Sequence, residues 1–157
     1  GHSGGGFAST AALLRYPDFY DVAVSSSGNH DNRNYAADWG EKWQGLLTPL
    51  NKNLNEDKVN QNALKTNYDS QANQLLVENF KGKLLIAHGM LDDNVPPSNT
   101  LILVDALINA NKDFDLILFP NQRHGYGEMK NYMMRRKWDY FIKHLKDLNP
   151  PSNYSFD

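Results

Sequence analysis

An α/β fold, with a mostly parallel sheet flanked by helices, is predicted by three observations. Short apolar runs of strand length alternate with helix-forming segments, which is the pattern of strand–helix–strand units. The runs are too short and too uniformly apolar for half-buried hairpin strands, and fit interior parallel strands instead. The 157 residues, 40% hydrophobic and 22% charged, suffice for one sizeable core, so one domain is expected, and no internal repeat interrupts the pattern.

The elements follow in order. Residues 7–15 are mostly helix formers (Ala8, Ala11, Ala12, Leu13, Leu14), and Pro17 closes a short buried helix. Residues 21–26 form a valine-bearing run that predicts the first strand. Residues 28–47 alternate polar and aromatic types without a clean period, predicting a loop with short helical turns. Residues 49–79 are rich in asparagine and poor in large apolar side chains, predicting a surface excursion with a weak amphipathic helix near 71–80. Residues 83–89 predict the second strand. Pro96, Pro97 and Ser98 give a turn and helix start before a helix over 100–111. Residues 113–120 predict the third strand. In a long final helix, Met134, Trp138, Phe141, Leu145 and Leu148 step by four and three along one face, and Pro150 and Pro151 end it.

Composition narrows the partners. The formal charge of −2 comes with scattered Lys and Arg, so no basic stripe follows a phosphate backbone, and nucleic acid is not an expected partner. No apolar stretch approaches the eighteen or so residues of a membrane helix, and the first residues lack a signal peptide's features, so a soluble chain without a membrane span is expected. Zero cysteines exclude disulfides, a cysteine nucleophile and thiolate metal sites, and leave the compartment open.

The chemistry gathers just past the strand ends, where open α/β sheets carry their sites. Gly1-His2-Ser3-Gly4-Gly5 fits Gly-x-Ser-x-Gly, the turn that lifts a serine hydroxyl above a sheet. Its glycines permit strained backbone and close approach, and the Gly4 amide can donate to an oxyanion. A serine nucleophile needs a base and the base an orienting carboxylate, and in this fold the acid precedes the histidine in the chain. Asp92 and Asp93 follow the second strand and His124 follows the third. Singly, such aspartates are ordinary turn formers and a loop histidine an ordinary surface residue. Three residues of the right types in the right order, each beyond a strand, point together to a Ser3–Asp–His124 triad and to the α/β-hydrolase fold. His2, His30, His88 and His144 compete poorly as the base. No His or carboxylate pair has zinc-helix spacing, so no metal and no cofactor are expected.

The segments Gly1-His2-Ser3-Gly4-Gly5-Gly6, His88-Gly89-Met90-Leu91-Asp92-Asp93-Asn94-Val95 and Arg123-His124-Gly125 resemble, in order, the three catalytic segments of the prolyl oligopeptidase family. The second segment looks like that of the dipeptidyl-peptidase IV branch. The resemblance implies that Asp92, rather than Asp93, is the triad acid, which spacing alone leaves open. It further implies that Asn94 contacts a substrate carbonyl and that Tyr35 and Trp39 line a proline pocket, where a flat apolar ring stacks on aromatic faces. The family usually has tyrosine in place of Trp39.

On this resemblance, residues 1–157 are expected to be the C-terminal part of a peptidase catalytic domain that begins at the nucleophile turn, within a hydrolase domain of roughly 250 residues. The implied activity is release of N-terminal dipeptides with penultimate proline or alanine. An esterase or acylaminoacyl peptidase using the same triad, and a non-catalytic module keeping the fold, are the rival readings. Peptide is the expected partner. An open sheet edge predicts self-association into a homo-oligomer, and the resemblance favours a periplasmic or secreted location.

Overall fold

The computed structural model describes residues 1–50 and 65–156. Three parallel strands, β1 (Val22–Ser26), β2 (Lys83–Gly89) and β3 (Asp115–Phe119), hydrogen-bond in the order β1-β2-β3, with Val24 opposite Leu85 and Ala87 opposite Ile117. Residues 1–3 extend this ladder. His2 bridges Ser26 in parallel, Ser26 N–H donates to Gly1 O at 3.0 Å, and Ser3 N–H donates to Ser26 O at 2.8 Å.

Among the described residues the α-helices are α1 (Gly4–Arg15), α2 (Ala37–Gln44), α3 (Ser98–Asn109) and α4 (Lys130–Lys146); α1, α3 and α4 pack on the sheet, and α2 packs on the 3-10 turn Asn32–Asn34. Because side chains alternate across a strand, Ala23, Leu84 and Ile86 point to one face and Val24, Leu85 and Ala87 to the other. The first set packs with Leu13 and Leu14 of α1, Leu103 and Leu107 of α3, and Val77 and Phe80. The second packs with Phe119, Tyr126, and Met133 and Tyr140 of α4. The central strand β2 is thus buried on both faces, which explains its unbroken apolar run, whereas Leu116 and Leu118 of the edge strand β3 stay exposed. Burial of a Leu or Ile side chain is worth about 1.5–3 kcal/mol, so these two layers supply the main hold on the sheet's position. Among the described residues no helix is long and apolar enough to cross a membrane.

The second strand lies where the sequence predicts it, and the first and third are shorter by a residue or more at their ends. Three expectations are corrected. Within 28–47 the chain forms a full helix, α2, packed on a buried Gly40. Around 71–80 it is 3-10 rather than α-helical, over Asn73–Asn79, and Asn73, Val77 and Phe80 are core rather than surface. Lys112 Nζ, reaching from beyond α3, donates to the Glu78 and Phe80 carbonyls at 3.0 and 3.1 Å and so satisfies that end. On α4 the buried residues are Met133 and Tyr140, whereas Trp138 and Leu145, and Leu148 beyond the helix end, are at least half exposed. The reason is a polar anchor that apolar periodicity cannot register: Tyr140 Oη donates to Asp115 Oδ2 at 3.0 Å, turning that face to the sheet. Residues 51–64 of the expected excursion lie outside the described residues.

Candidate active site

Ser3 stands between the short bridge to β1 and the first turn of α1, with φ 57° and ψ −128°. Left-handed φ costs a non-glycine residue about 1–3 kcal/mol, and here the surroundings enforce it. Ser3 N–H is bound to Ser26 O, and Ser3 O accepts from Gly6 and Phe7 N–H at 2.8 and 3.1 Å. The helix reaches this close because Gly6 lacks a side chain: a Cβ there would lie 2.6 Å from Ser26 O. At Gly5 a Cβ would meet nothing within 4 Å, so the close approach depends on the third glycine of the run rather than on the second. Gly4 is the first helical residue, and among the described residues its N–H has no backbone partner. That leaves a donor beside Ser3 for a developing oxyanion.

The acid and the histidine meet across two loops. Met90 N–H donates to Phe119 O at 2.9 Å and Leu91 N–H to Gln122 O at 3.0 Å, tying the loop after β2 to the loop after β3. Gly89 makes this contact possible, since a Cβ would fall 2.4 Å from Gln122 O and 2.6 Å from Arg123 O. In consequence His124 Nδ1 lies 2.8 Å from Asp92 Oδ2. A carboxylate only accepts, so in the neutral ring Nδ1 carries the proton and Nε2 keeps its lone pair.

Asp92 is buried, and its other oxygen accepts from Asn94 and Val95 N–H at 3.0 and 2.9 Å. Asp93 is exposed and pairs with Arg123 instead. The geometry separates two adjacent carboxylates that spacing leaves equivalent.

His2, at the variable position of the serine turn, packs its ring on His124 with centroids 4.6 Å apart, and its Nδ1 lies 2.8 Å from Ser26 Oγ. Burial, then the neighbouring His124, lowers its pKa. Among the described residues no hydrogen bond joins Ser3 Oγ to His124. Tyr126, two residues past His124, has φ 62° and is buried, with its hydroxyl donating to Ala87 O at 3.2 Å and 3.1 Å from Ser27 Oγ. It pins the His124 loop to the ends of β1 and β2. In the sequence only its aromatic type so close to His124 marks it.

The residues expected to bind substrate also adjoin. Tyr35 Oη donates to Asn94 Oδ1 at 2.9 Å, leaving the Asn94 amide hydrogens for another acceptor. Burial raises the Tyr35 pKa, so the hydroxyl stays protonated. Trp39 stands edge-on to Tyr35, centroids 6.2 Å apart, and Trp43 continues the aromatic row at 5.8 Å. Of the other histidines, His30 is buried against Asn73, His88 lies behind Asp92, and His144 packs on Tyr140.

Residues 1–148 match the sequence profile of the prolyl oligopeptidase family. The chain is 31% identical over 145 residues to dipeptidyl peptidase family member 1 of Caenorhabditis elegans, covering 91% of this chain and 16% of that protein. It is 30% identical over 124 residues to human dipeptidyl peptidase 8, covering 79% of this chain and 13% of the relative. A crystal structure from Bacteroides ovatus, described as a dipeptidyl aminopeptidase IV, superposes with a TM-score of 0.75 at 27% identity, over 92% of this chain and 18% of that one. The chain therefore spans less than a fifth of the length of these proteins. The three-stranded parallel sheet with helices on both faces is part of an α/β-hydrolase fold, and the chain belongs to the prolyl oligopeptidase family.

Proposed function

We propose that this chain carries the catalytic triad of a serine peptidase, with Ser3 as nucleophile, His124 as base and Asp92 as orienting acid. Residues 1–157 then form the C-terminal part of the catalytic domain. The observation that carries the reading is the 2.8 Å bond from His124 Nδ1 to the buried Asp92, at the loop ends of the same sheet that holds Ser3 in its left-handed turn.

The chemistry follows from those positions. Ser3 Oγ forms a bond to the peptide carbonyl carbon as His124 Nε2 takes the hydroxyl proton, and the carbonyl electron pair moves to oxygen, facing the free Gly4 N–H. Collapse breaks the C–N bond, and His124 returns the proton to the leaving amine. Water, deprotonated by the same nitrogen, then releases the acyl group and restores Ser3. Asp92 holds the one tautomer that can accept at Nε2 and stabilises the imidazolium that forms.

We further propose that the peptidase releases dipeptides with penultimate proline or alanine. The Asn94 amide supports this reading as a donor to the substrate carbonyl, and the Tyr35 and Trp39 rings support it as walls for a proline ring. A panel of chromogenic substrates tests it. Cleavage of dipeptide amides bearing proline or alanine at the second position, abolished in Ser3→Ala, is expected. Hydrolysis confined to short acyl esters or N-acylated amino acids would move the assignment to an esterase or acylaminoacyl peptidase.

A further inference from the structure

Behind the acid lies a second histidine that the mechanism above does not use. His88, at the end of β2, is fully buried. Its Nε2 is 3.0 Å from Val95 O and 3.2 Å from Asp92 Oδ2, and its Nδ1 is 2.7 Å from Thr100 Oγ1 on α3. A carbonyl and a carboxylate accept and cannot donate, so Nε2 carries the proton. The Thr100 hydroxyl then donates to Nδ1. Three partners leave the ring one neutral tautomer and one orientation.

Val95 is held from both sides: its N–H donates to Asp92 Oδ1 at 2.9 Å while its carbonyl accepts from His88. Asp92 Oδ2 lies against two imidazole nitrogens, His124 Nδ1 at 2.8 Å and His88 Nε2 at 3.2 Å. Burial lowers the His88 pKa against the opposing pull of Val95 and Asp92, in keeping with a neutral donor. The titratable groups around it are Asp92, His124, His30 and His2.

We propose that His88 is a positioning residue for the triad, an Nε2–H donor that fixes Asp92 and its loop so that one carboxylate oxygen faces His124. The line runs Thr100, His88, Asp92, His124, from α3 across the sheet end to the loop after β3. This inference rests on the triad reading for its catalytic meaning, while the ring state of His88 stands apart from it.

The ring state is read first, by long-range ¹⁵N–¹H correlation of the imidazoles in the intact chain. Expected is an Nε2–H pattern for His88, unchanged between pH 5 and 8. An Nδ1–H pattern, or titration near 6.5, overturns the proposal whether or not the chain turns over substrate. Reactivity is read second, as the rate at which a fluorophosphonate labels Ser3 across the same pH range.

In His88→Phe the donor is lost, and labelling is expected to slow about tenfold, the worth of one hydrogen bond to a charged group. Its acid limb should move to higher pH, because a carboxylate freed of one donor attracts the His124 proton more strongly. His88→Gln, which keeps an N–H, should recover most of the rate, and Thr100→Val, nearly isosteric, should show a smaller loss. Folded His88→Phe protein that labels at the wild-type rate with an unmoved pH profile overturns the proposal. Failure of the wild-type chain to label would count against the triad reading alone, and the tautomer would still decide the state of His88.

Discussion

Replacing Gly89 by alanine separates the two halves of the site through one methyl group. The added Cβ would lie 2.4 Å from Gln122 O and 2.6 Å from Arg123 O, both backbone atoms of the loop that carries His124. Ordinary contact begins at 3.4 Å, so the loops must part by about 1 Å. Parting the loops by that distance stretches the 2.8 Å Asp92–His124 bond beyond hydrogen-bonding range. Overpacking of this kind costs about 1–3 kcal/mol, and the lower chain entropy of alanine returns about 0.5–1 kcal/mol. A net loss of about 1–2 kcal/mol is expected in urea denaturation. Reactivity should fall further, by about a hundredfold, since a 1 Å displacement of a catalytic group carries that penalty.

The control is Gly125→Ala, beside His124 on the same loop, where a Cβ meets nothing within 4 Å. It should leave stability within about 0.5 kcal/mol and labelling of Ser3 within threefold. Wild-type stability and labelling in Gly89→Ala would refute the claim that this close approach builds the site.

Asp92→Asn should cut turnover about a thousandfold or more by spoiling the His124 tautomer, whereas Asp93→Asn, in an exposed pair with Arg123, should stay within threefold; steady-state kinetics on both variants compares them. Tyr35→Phe removes the 2.9 Å bond to Asn94 and should raise KM several-fold with kcat less affected. Stability should fall as the medium is acidified below pH 6.5. His30 is held neutral by burial, its pKa pushed down to about 3, so the unfolded chain binds a proton that the folded chain refuses between 6.5 and 3. The slope approaches about 1.4 kcal/mol per pH unit, His88 adding in the same direction, and it should be shallower in His30→Met. Urea midpoints that match at pH 7.5 and 5 would contradict this. The exposed Phe19, Trp43, Trp138 and Leu145 leave apolar surface for association, and light scattering at micromolar concentration should find more than a monomer.

Much of this was legible in the residues. The strand Lys83–Gly89 could be read because a strand buried on both faces is continuously apolar, Ser3 because it sits in Gly-x-Ser-x-Gly, and an aspartate and His124 because each follows an apolar run of strand length. The choice of Asp92 over Asp93 needed the family resemblance, since burial distinguishes them and spacing does not. The burial of His30, Asn73 and His88 was not legible, because polar side chains enter a core only where tertiary partners satisfy them. The structural weight of Gly89 was hidden for a related reason: the atoms it admits belong to a loop more than thirty residues away.

The most direct test of the central claim is intact-mass analysis of the chain after fluorophosphonate treatment, with peptide mapping and a Ser3→Ala control. Expected is a single adduct on Ser3, absent from Ser3→Ala and strongly reduced in His124→Ala. An adduct on another serine, or equal labelling with and without His124, would contradict the assignment of Ser3 and His124 as nucleophile and base.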